Sequence, residues 1–172
     1  MVTVRRLAPH DDRSRFSSGN VELDRFFLRY AGQNQFRHHV GTTYVAVEGD
    51  GPVWGFATVA ASEVIVASLP AGLKKSLPAY PLPALRLARL AVHQRERGRG
   101  IGVALLRAVF SLARNMATEI GCLGIVVDAK PDAVEFYRKL GFVALEGRAG
   151  ASNERPEPLP MFLELGAIPK AD

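Results

Sequence analysis

The stretch of this chain best suited to chemistry runs Arg95-Glu96-Arg97-Gly98-Arg99-Gly100-Ile101-Gly102. Glycines at 98, 100 and 102 let the backbone come close to a ligand. A long helical pattern opens at Ile101, so the free amides and the positive dipole end of a helix start face whatever sits there. Arg95, Arg97 and Arg99 add positive charge beside those amides. Such a place suits a pyrophosphate. A glycine-rich turn is a weak pattern by itself, and its position between a strand and a helix is what gives it meaning. The strand leading in carries Arg86 and Arg89, and no carboxylate occurs between Glu63 and Glu96.

Two other groups could do chemistry and are read as structural. The adjacent histidines His38 and His39 could ligate a metal, but no cysteine or carboxylate cluster accompanies them, so they are read as exposed loop residues and no metal is expected. Cys122 lies in an apolar run of strand length and has no histidine close in sequence. It is read as a core residue, not a nucleophile.

The elements that must position the turn follow from hydrophobic period and punctuation. Val2 to Leu7 alternates as a first strand. Asn20 is the expected N-cap of an amphipathic helix from Val21 to about Gln35. Thr42 to Val47 and Val53 to Ala60 form a hairpin around Glu48-Gly49-Asp50-Gly51-Pro52. Leu69 to Tyr80 reads as a surface segment with one short helix. Leu85 to Val92 is the strand feeding the turn, with Pro81 and Pro83 before it. Ile101 to about Ile120 is the longest helix, stopped by Gly121. Cys122 to Val127 reads as a strand buried on both faces. Pro131 opens a helix ending at Leu140. Phe142 to Leu145 and Leu159 to Leu165 close the chain as strands joined by a polar loop. The order predicts one α/β (α+β) domain over residues 1–172.

Composition limits the function classes. The chain has 172 residues, enough for a substantial core, and its one cysteine excludes an internal disulfide framework. No apolar run approaches the roughly 20 residues of a membrane span, and the N-terminus lacks a signal-peptide core, so a cytoplasmic protein is expected. The net charge of +5 is unevenly placed. From Val64 to Arg114 stand Lys74, Lys75, Arg86, Arg89, Arg95, Arg97, Arg99, Arg107 and Arg114, with Glu96 the one acidic residue. A basic middle points to a polyanionic partner, either a phosphorylated cofactor or a nucleic acid.

At this point the residues resemble a known superfamily. Arg95-Glu96-Arg97-Gly98-Arg99-Gly100 is similar to the Gln/Arg-x-x-Gly-x-Gly/Ala acetyl-CoA signature of the GNAT N-acetyltransferases. Arg89-Leu90-Ala91-Val92 before it, and Ala133-Val134-Glu135-Phe136-Tyr137-Arg138-Lys139-Leu140-Gly141-Phe142 after it, resemble the flanking motifs in order and spacing. A narrower likeness is to the tRNA-acetylating toxins. It is carried by Phe16 to Phe27, by Ala31-Gly32-Gln33-Asn34, by Thr43-Tyr44-Val45-Ala46, by Leu85 to Val92 and by Asp128-Ala129-Lys130.

The resemblance implies a GNAT acyl-CoA N-acyltransferase fold, with a mixed, mostly antiparallel central sheet flanked by helices. It implies acetyl-CoA held by Leu90, Ala91, Val92, Arg95, Arg97, Gly98, Arg99, Gly100, Ile101, Gly102, Ala133 and Phe136. It also implies Tyr137 as general acid, since a phenol with pKa about 10 can protonate a thiolate. The acceptor implied is the α-amine of aminoacyl-tRNA, and the partners are a ribbon-helix-helix antitoxin and a second copy of the chain. Lys130 departs from the family pattern: many members carry an asparagine there that contacts the cofactor arm or an ordered water.

The residues themselves bear on the acceptor. A lysine amine with pKa about 10.4 needs a base, whereas an aminoacyl ester amine, at or below the α-amino value of about 7.7–8.0, has a useful neutral fraction unaided. Excess arginine and missing carboxylates disfavour a polycation and favour phosphates. Arg89, Arg86, Lys74, Lys75, Arg15 and Arg37 are the candidate tRNA contacts. Arg86 and Arg89 fall on opposite faces of a regular strand, so at most one lines the acceptor site, with Arg89 preferred. The alternative for either is a pair with an internal carboxylate. Two further readings stay open: an acetyltransferase for a small amine or protein N-terminus, and a non-catalytic CoA-binding protein.

Overall fold

The computed structural model describes residues 1–146 and 158–170. Its strands are β1 (Thr3–Arg6), β2 (Thr42–Val47), β3 (Val53–Val64), β4 (Leu82–Val92), β5 (Gly124–Ala129), β6 (Val143–Ala144) and β7 (Leu159–Glu164). They lie in the order β1-β2-β3-β4-β5-β7-β6 in a seven-stranded sheet, and the helices are α1 (Val21–Arg25), α2 (Ala31–Phe36), α3 (Ala71–Lys74), α4 (Ile101–Glu119) and α5 (Val134–Lys139). This is the expected mixed sheet with helices. The chain falls into two compact units, Met1–Ala60 with Leu87–Ser111 and Ala61–Arg86 with Leu112–Asp172.

In the first unit β2 pairs antiparallel with β1, from Thr3↔Val47 to Arg6↔Tyr44, and with β3, from Thr42↔Val59 to Val47↔Val53. The β-branched residues that predict β2 place Thr43, Val45, Ala46 and Val47 in the interior. Asn20 caps α1 as expected, its side chain accepting the Leu23 N–H at 3.0 Å. Asp24 reaches back to accept the Ser18 N–H and hydroxyl at 2.9 and 2.7 Å. The helix does not run regularly to Gln35. Phe26–Tyr30 is π-helical, and α2 carries it on to Phe36. Phe16, Phe26, Phe27 and Phe56 form the aromatic part of this core, with Phe27 and Phe56 stacked at 4.4 Å.

Gly55 decides where α4 begins. A Cβ at Gly55 would stand 2.9 Å from Ile101 Cγ2, 3.0 Å from Leu105 Cδ1 and 3.1 Å from the Ala91 carbonyl oxygen. The first turn of α4 therefore rests directly on the β3 backbone. Ile101, Leu105, Leu106, Val109, Phe110 and Ala113 make the buried face of this helix. Contrary to the expectation of no apolar run near membrane length, α4 is long and apolar enough to cross a membrane by length and composition alone. Its charged and polar residues, such as Arg107, Ser111 and Asn115, lie on the exposed side, as in an ordinary amphipathic core helix.

In the second unit α4 stops where Gly121, at φ +112°, donates its N–H to the Met116 carbonyl at 2.8 Å. The expected strand at Cys122 begins two residues later. Leu123 N–H is taken by the Pro83 carbonyl at 2.8 Å, and β5 pairs with β7 only from Gly124↔Glu164 onward. Cys122 is buried, its thiol donates to the Gly124 carbonyl at 3.2 Å, and burial pushes the thiol pKa up, consistent with an inert core residue. Pro131 opens a 3₁₀ turn that continues into α5. β6 pairs with β7 through Val143 and Ala144. The polar loop expected between these two strands lies largely outside the described residues.

Replacing Gly55 by alanine is expected to lower unfolding stability by about 1–3 kcal/mol, because the new methyl meets backbone as well as side chain. Urea denaturation measures this. An unchanged midpoint would show that α4 is not seated on β3 as described.

Candidate functional site

The turn after β4 is tied down before it reaches the glycines. His93 donates its N–H to the Trp54 carbonyl at 2.7 Å, and Gln94 donates its N–H to the Ser17 carbonyl at 2.9 Å. His93 Nδ1 accepts the Arg95 N–H at 3.2 Å, capping a single 3₁₀ turn over Gln94–Glu96. Gly98 and Gly100 then adopt φ +83° and +78°, and a Cβ at either would meet nothing within 4 Å. Glycine is needed here for the backbone angle, and the space beside both residues is open. The Gly100 carbonyl accepts the Ala104 N–H at 3.0 Å, so helical bonding starts at once and leaves the first amides of α4 without intrahelical acceptors.

The three arginines of the turn do different things. Arg97 donates to the Ser18 carbonyl at 2.6 Å, pinning the turn to the segment before α1. Arg99 pairs with Glu48 at 2.5 Å and with Glu96. Arg95 is exposed and has no side-chain bond among the described residues. The turn therefore presents an open set of amides with one unengaged guanidinium beside them. Leu90 and Val92 are half-buried on β4, Ala91 is buried, and Ile101 and Gly102 start the helix.

The candidate acceptor residues divide between the two units. Arg86 pairs with Asp128 at 2.9 Å, so the carboxylate-pair alternative describes Arg86. Arg89 makes no ion pair or hydrogen bond with any described residue. Its guanidinium carbon lies 3.7 Å over the centroid of the Phe26 ring, and burial without a counter-charge lowers its pKa. Arg15 and Arg37 are exposed in the first unit. Lys74 ends α3 in the second, with Nζ 3.4 Å from the Ala67 carbonyl, and Lys75 beside it is exposed.

Tyr137 lies on α5 and is 5% exposed, edge-on to Phe142 and Phe136 with ring centroids 5.2 Å away in each case. Burial pushes its phenol up to about 12, so it carries its proton throughout the physiological range. Ala133 is half-buried at the start of α5 and Phe136 is exposed. At the atypical position, the Lys130 carbonyl accepts the Ala133 N–H at 2.8 Å while its side chain is exposed.

Several participants are not evident from the sequence. His93 stands edge-on to Phe16 and Trp54, with Nε2 3.3 Å from the Arg15 carbonyl. A cavity of about 970 Å³ opens beside them, bounded by Trp54, His93, Arg95 and Arg15. Phe26 and Glu48, the partners of Arg89 and Arg99, are not evident either. Trp54, the sole tryptophan, was the one signal available in the sequence. Among the described residues no group of three or more His, Cys, Asp or Glu side chains could hold a metal ion.

Comparison with known proteins identifies the family and the fold. The profile of the acetyltransferase (GNAT) domain family matches residues 39–144. A tRNA-acetylating toxin of Mycobacterium tuberculosis is 35% identical over 139 residues, covering 80% of this chain and 82% of that protein. The structure of AtaT complexed with acetyl-methionyl-tRNAfMet matches with TM-score 0.84 and 24% identity, over 97% of this chain and 96% of that one. A mutant AtaT toxin bound to the C-terminus of the antitoxin AtaR and acetyl-CoA matches with TM-score 0.76 and 22% identity, over 97% and 95%. At these identities the two structures show the shared fold.

The buried phenol makes a pH prediction. The fold favours neutral Tyr137, so its contribution is fully present below the ordinary tyrosine pKa of 10.0 and is lost as pH rises through the folded value of about 12. Between those values the stability of the wild type relative to Tyr137→Phe is expected to fall by about 2–3 kcal/mol in denaturant titrations. A constant difference would contradict the burial of the hydroxyl.

Proposed function

The chain belongs to the acetyltransferase (GNAT) domain family, and we propose that it transfers acetyl from acetyl-CoA to the α-amine of an aminoacyl-tRNA, acting as a translation-blocking toxin. One observation carries the choice of acceptor: the 35% identity, over most of both chains, to a tRNA-acetylating toxin. The chain's own chemistry agrees. β4 carries no carboxylate and offers Arg89 with no counter-charge among the described residues, which suits an acceptor that brings phosphates and an amine far easier to deprotonate than a lysine.

Bound acetyl-CoA would supply the activated acetyl thioester. The donor fits the turn, where positive-φ glycines, open space and unengaged amides of the α4 start meet the needs of a pyrophosphate. In this reading Gly98, Gly100, Ile101 and Gly102 hold the pyrophosphate through backbone N–H groups, and Arg95 adds charge. Arg97 and Arg99 act by shaping the turn. The backbone of Leu90, Ala91 and Val92 orients the thioester carbonyl, and Ala133 and Phe136 flank the donor.

Tyr137 holds the proton that the leaving sulfur takes as the new C–N bond forms. With its phenol at about 12 and a thiol near 8.5, that transfer alone is uphill by about 5 kcal/mol. It becomes favourable in step with proton loss from the acceptor nitrogen, which is strongly acidic once bonded to the acyl carbon. Tyr137 is thus a relay that gives one proton and regains another. An antitoxin partner of ribbon-helix-helix type, a homodimeric state and a cytoplasmic location complete the proposal; AtaT has been solved with the C-terminus of its antitoxin AtaR.

Incubation with acetyl-CoA and charged total tRNA, followed by nuclease digestion, is expected to yield N-acetyl-aminoacyl-adenosine from at least one isoacceptor. Absence of product on every isoacceptor would overturn the tRNA reading. Tyr137→Phe is expected to reduce turnover about 10²–10⁴-fold with little change in acetyl-CoA affinity. Undiminished turnover would remove Tyr137 from the proton path.

A further inference from the structure

Phe26 is where the first helical segment departs from regularity. The Ala31 N–H closes onto the Phe26 carbonyl, five residues back, in the π-helical stretch Phe26–Tyr30. Turns of this kind are rare and cluster at functional sites. Phe26 is itself 5% exposed and leans on Phe56, with ring centroids 6.3 Å apart. The ring of Phe26 lies beneath the Arg89 guanidinium, 3.7 Å from its carbon.

Arg89 is half-buried and, among the described residues, has no carboxylate and no hydrogen-bond acceptor. A surface arginine held only by its stem would extend its head into water. Here the flat face is occupied by the ring while the N–H donors around its edge are unused. An aromatic ring under a guanidinium fixes the plane of the fork, and a fixed fork can make two parallel bonds to a phosphate.

We propose that Phe26 is a positioning residue for acceptor recognition: its ring holds Arg89 in the orientation that grips a phosphate of the acceptor strand. This rests on the reading of the acceptor as a charged tRNA. Arg89 is then the binding contact and Phe26 acts through it. The π-helical turn is the local distortion that puts the ring there.

The test compares Phe26→Leu, Phe26→Tyr, Arg89→Ala, Arg89→Lys and the double variant Phe26→Leu/Arg89→Ala with the wild type. Phe27→Leu serves as control, since it removes a ring from the same core and Phe27 stacks on Phe56, not on Arg89. Equilibrium binding of charged tRNA is measured over a range of salt, and acetyl-CoA binding by calorimetry. Phe26→Leu and Arg89→Ala should each weaken tRNA binding about fivefold to tenfold, and Arg89→Ala should lower the salt slope by about 0.7–0.9.

Phe26→Tyr, which keeps the ring face, should stay within about twofold of wild type, while Arg89→Lys should not rescue. The double variant should be no weaker than Arg89→Ala, and acetyl-CoA affinity should be unchanged throughout. Equal losses in Phe26→Leu and Phe27→Leu, or multiplying losses in the double variant, would reduce Phe26 to a structural residue. If Phe26→Leu does not fold, full binding by Arg89→Ala or Arg89→Lys overturns the proposal equally. A wild type that binds charged tRNA indifferently to both positions overturns this inference alone. One that does not bind it at all overturns the parent reading as well.

Discussion

The contact on which the rest of the first unit depends is the seating of α4 against the backbone of β3 at Gly55. Ile101 and Leu105 occupy the space that any side chain at that position would fill. A helix start placed this way is set by packing, not by its own capping residues. The His93 N–H on Trp54, Gln94 on Ser17 and Arg97 on Ser18 then fix the approach to the glycines from the other side. Because the turn is held by protein on both sides, its open amides need little ordering when an anion arrives, and that lowers the cost of binding.

The same restraints sort the positive charge. Arg97 is engaged by a carbonyl and Arg99 by Glu48 and Glu96, so two of the three guanidiniums that mark the turn in sequence are structural braces. Arg86 is paired with Asp128. Of the arginines on the turn and the strand before it, Arg95 and Arg89 have no ion pair or side-chain hydrogen bond among the described residues. The first suits the donor's phosphates, and the second, face-on to Phe26, suits those of the acceptor. In the proposed reading, recognition of the two substrates rests on different chemistry: backbone dipoles for the constant donor and a rigid side-chain fork for the acceptor.

Much of this was legible in the sequence because local rules govern it. The Asn20 cap, the β2–β3 hairpin, the start of α4 at Ile101 and its stop at Gly121 follow from residue types within a few positions. The π-helical turn at Phe26 did not follow, since a one-residue widening leaves the hydrophobic period nearly intact. β5 begins at Gly124, not Cys122, because strand limits are set by pairing, and an apolar run does not reveal where pairing starts. At the site, the glycines could be read from their backbone demands. The partners of Arg86, Arg89 and Arg99 could not, being 42, 63 and 51 positions away in the chain. The burial of Tyr137 depends on Phe142 and on tertiary packing, so its raised pKa was also out of reach.

If the donor rests on backbone amides already arranged by the seating of α4, those amides should report its binding. Hydrogen–deuterium exchange of the amides from Gly98 to Gly102, followed with and without saturating acetyl-CoA, tests it most directly. These amides should become strongly protected on binding, while those of the α1 segment change little. Binding of acetyl-CoA with no added protection at Gly98 to Gly102 would contradict it.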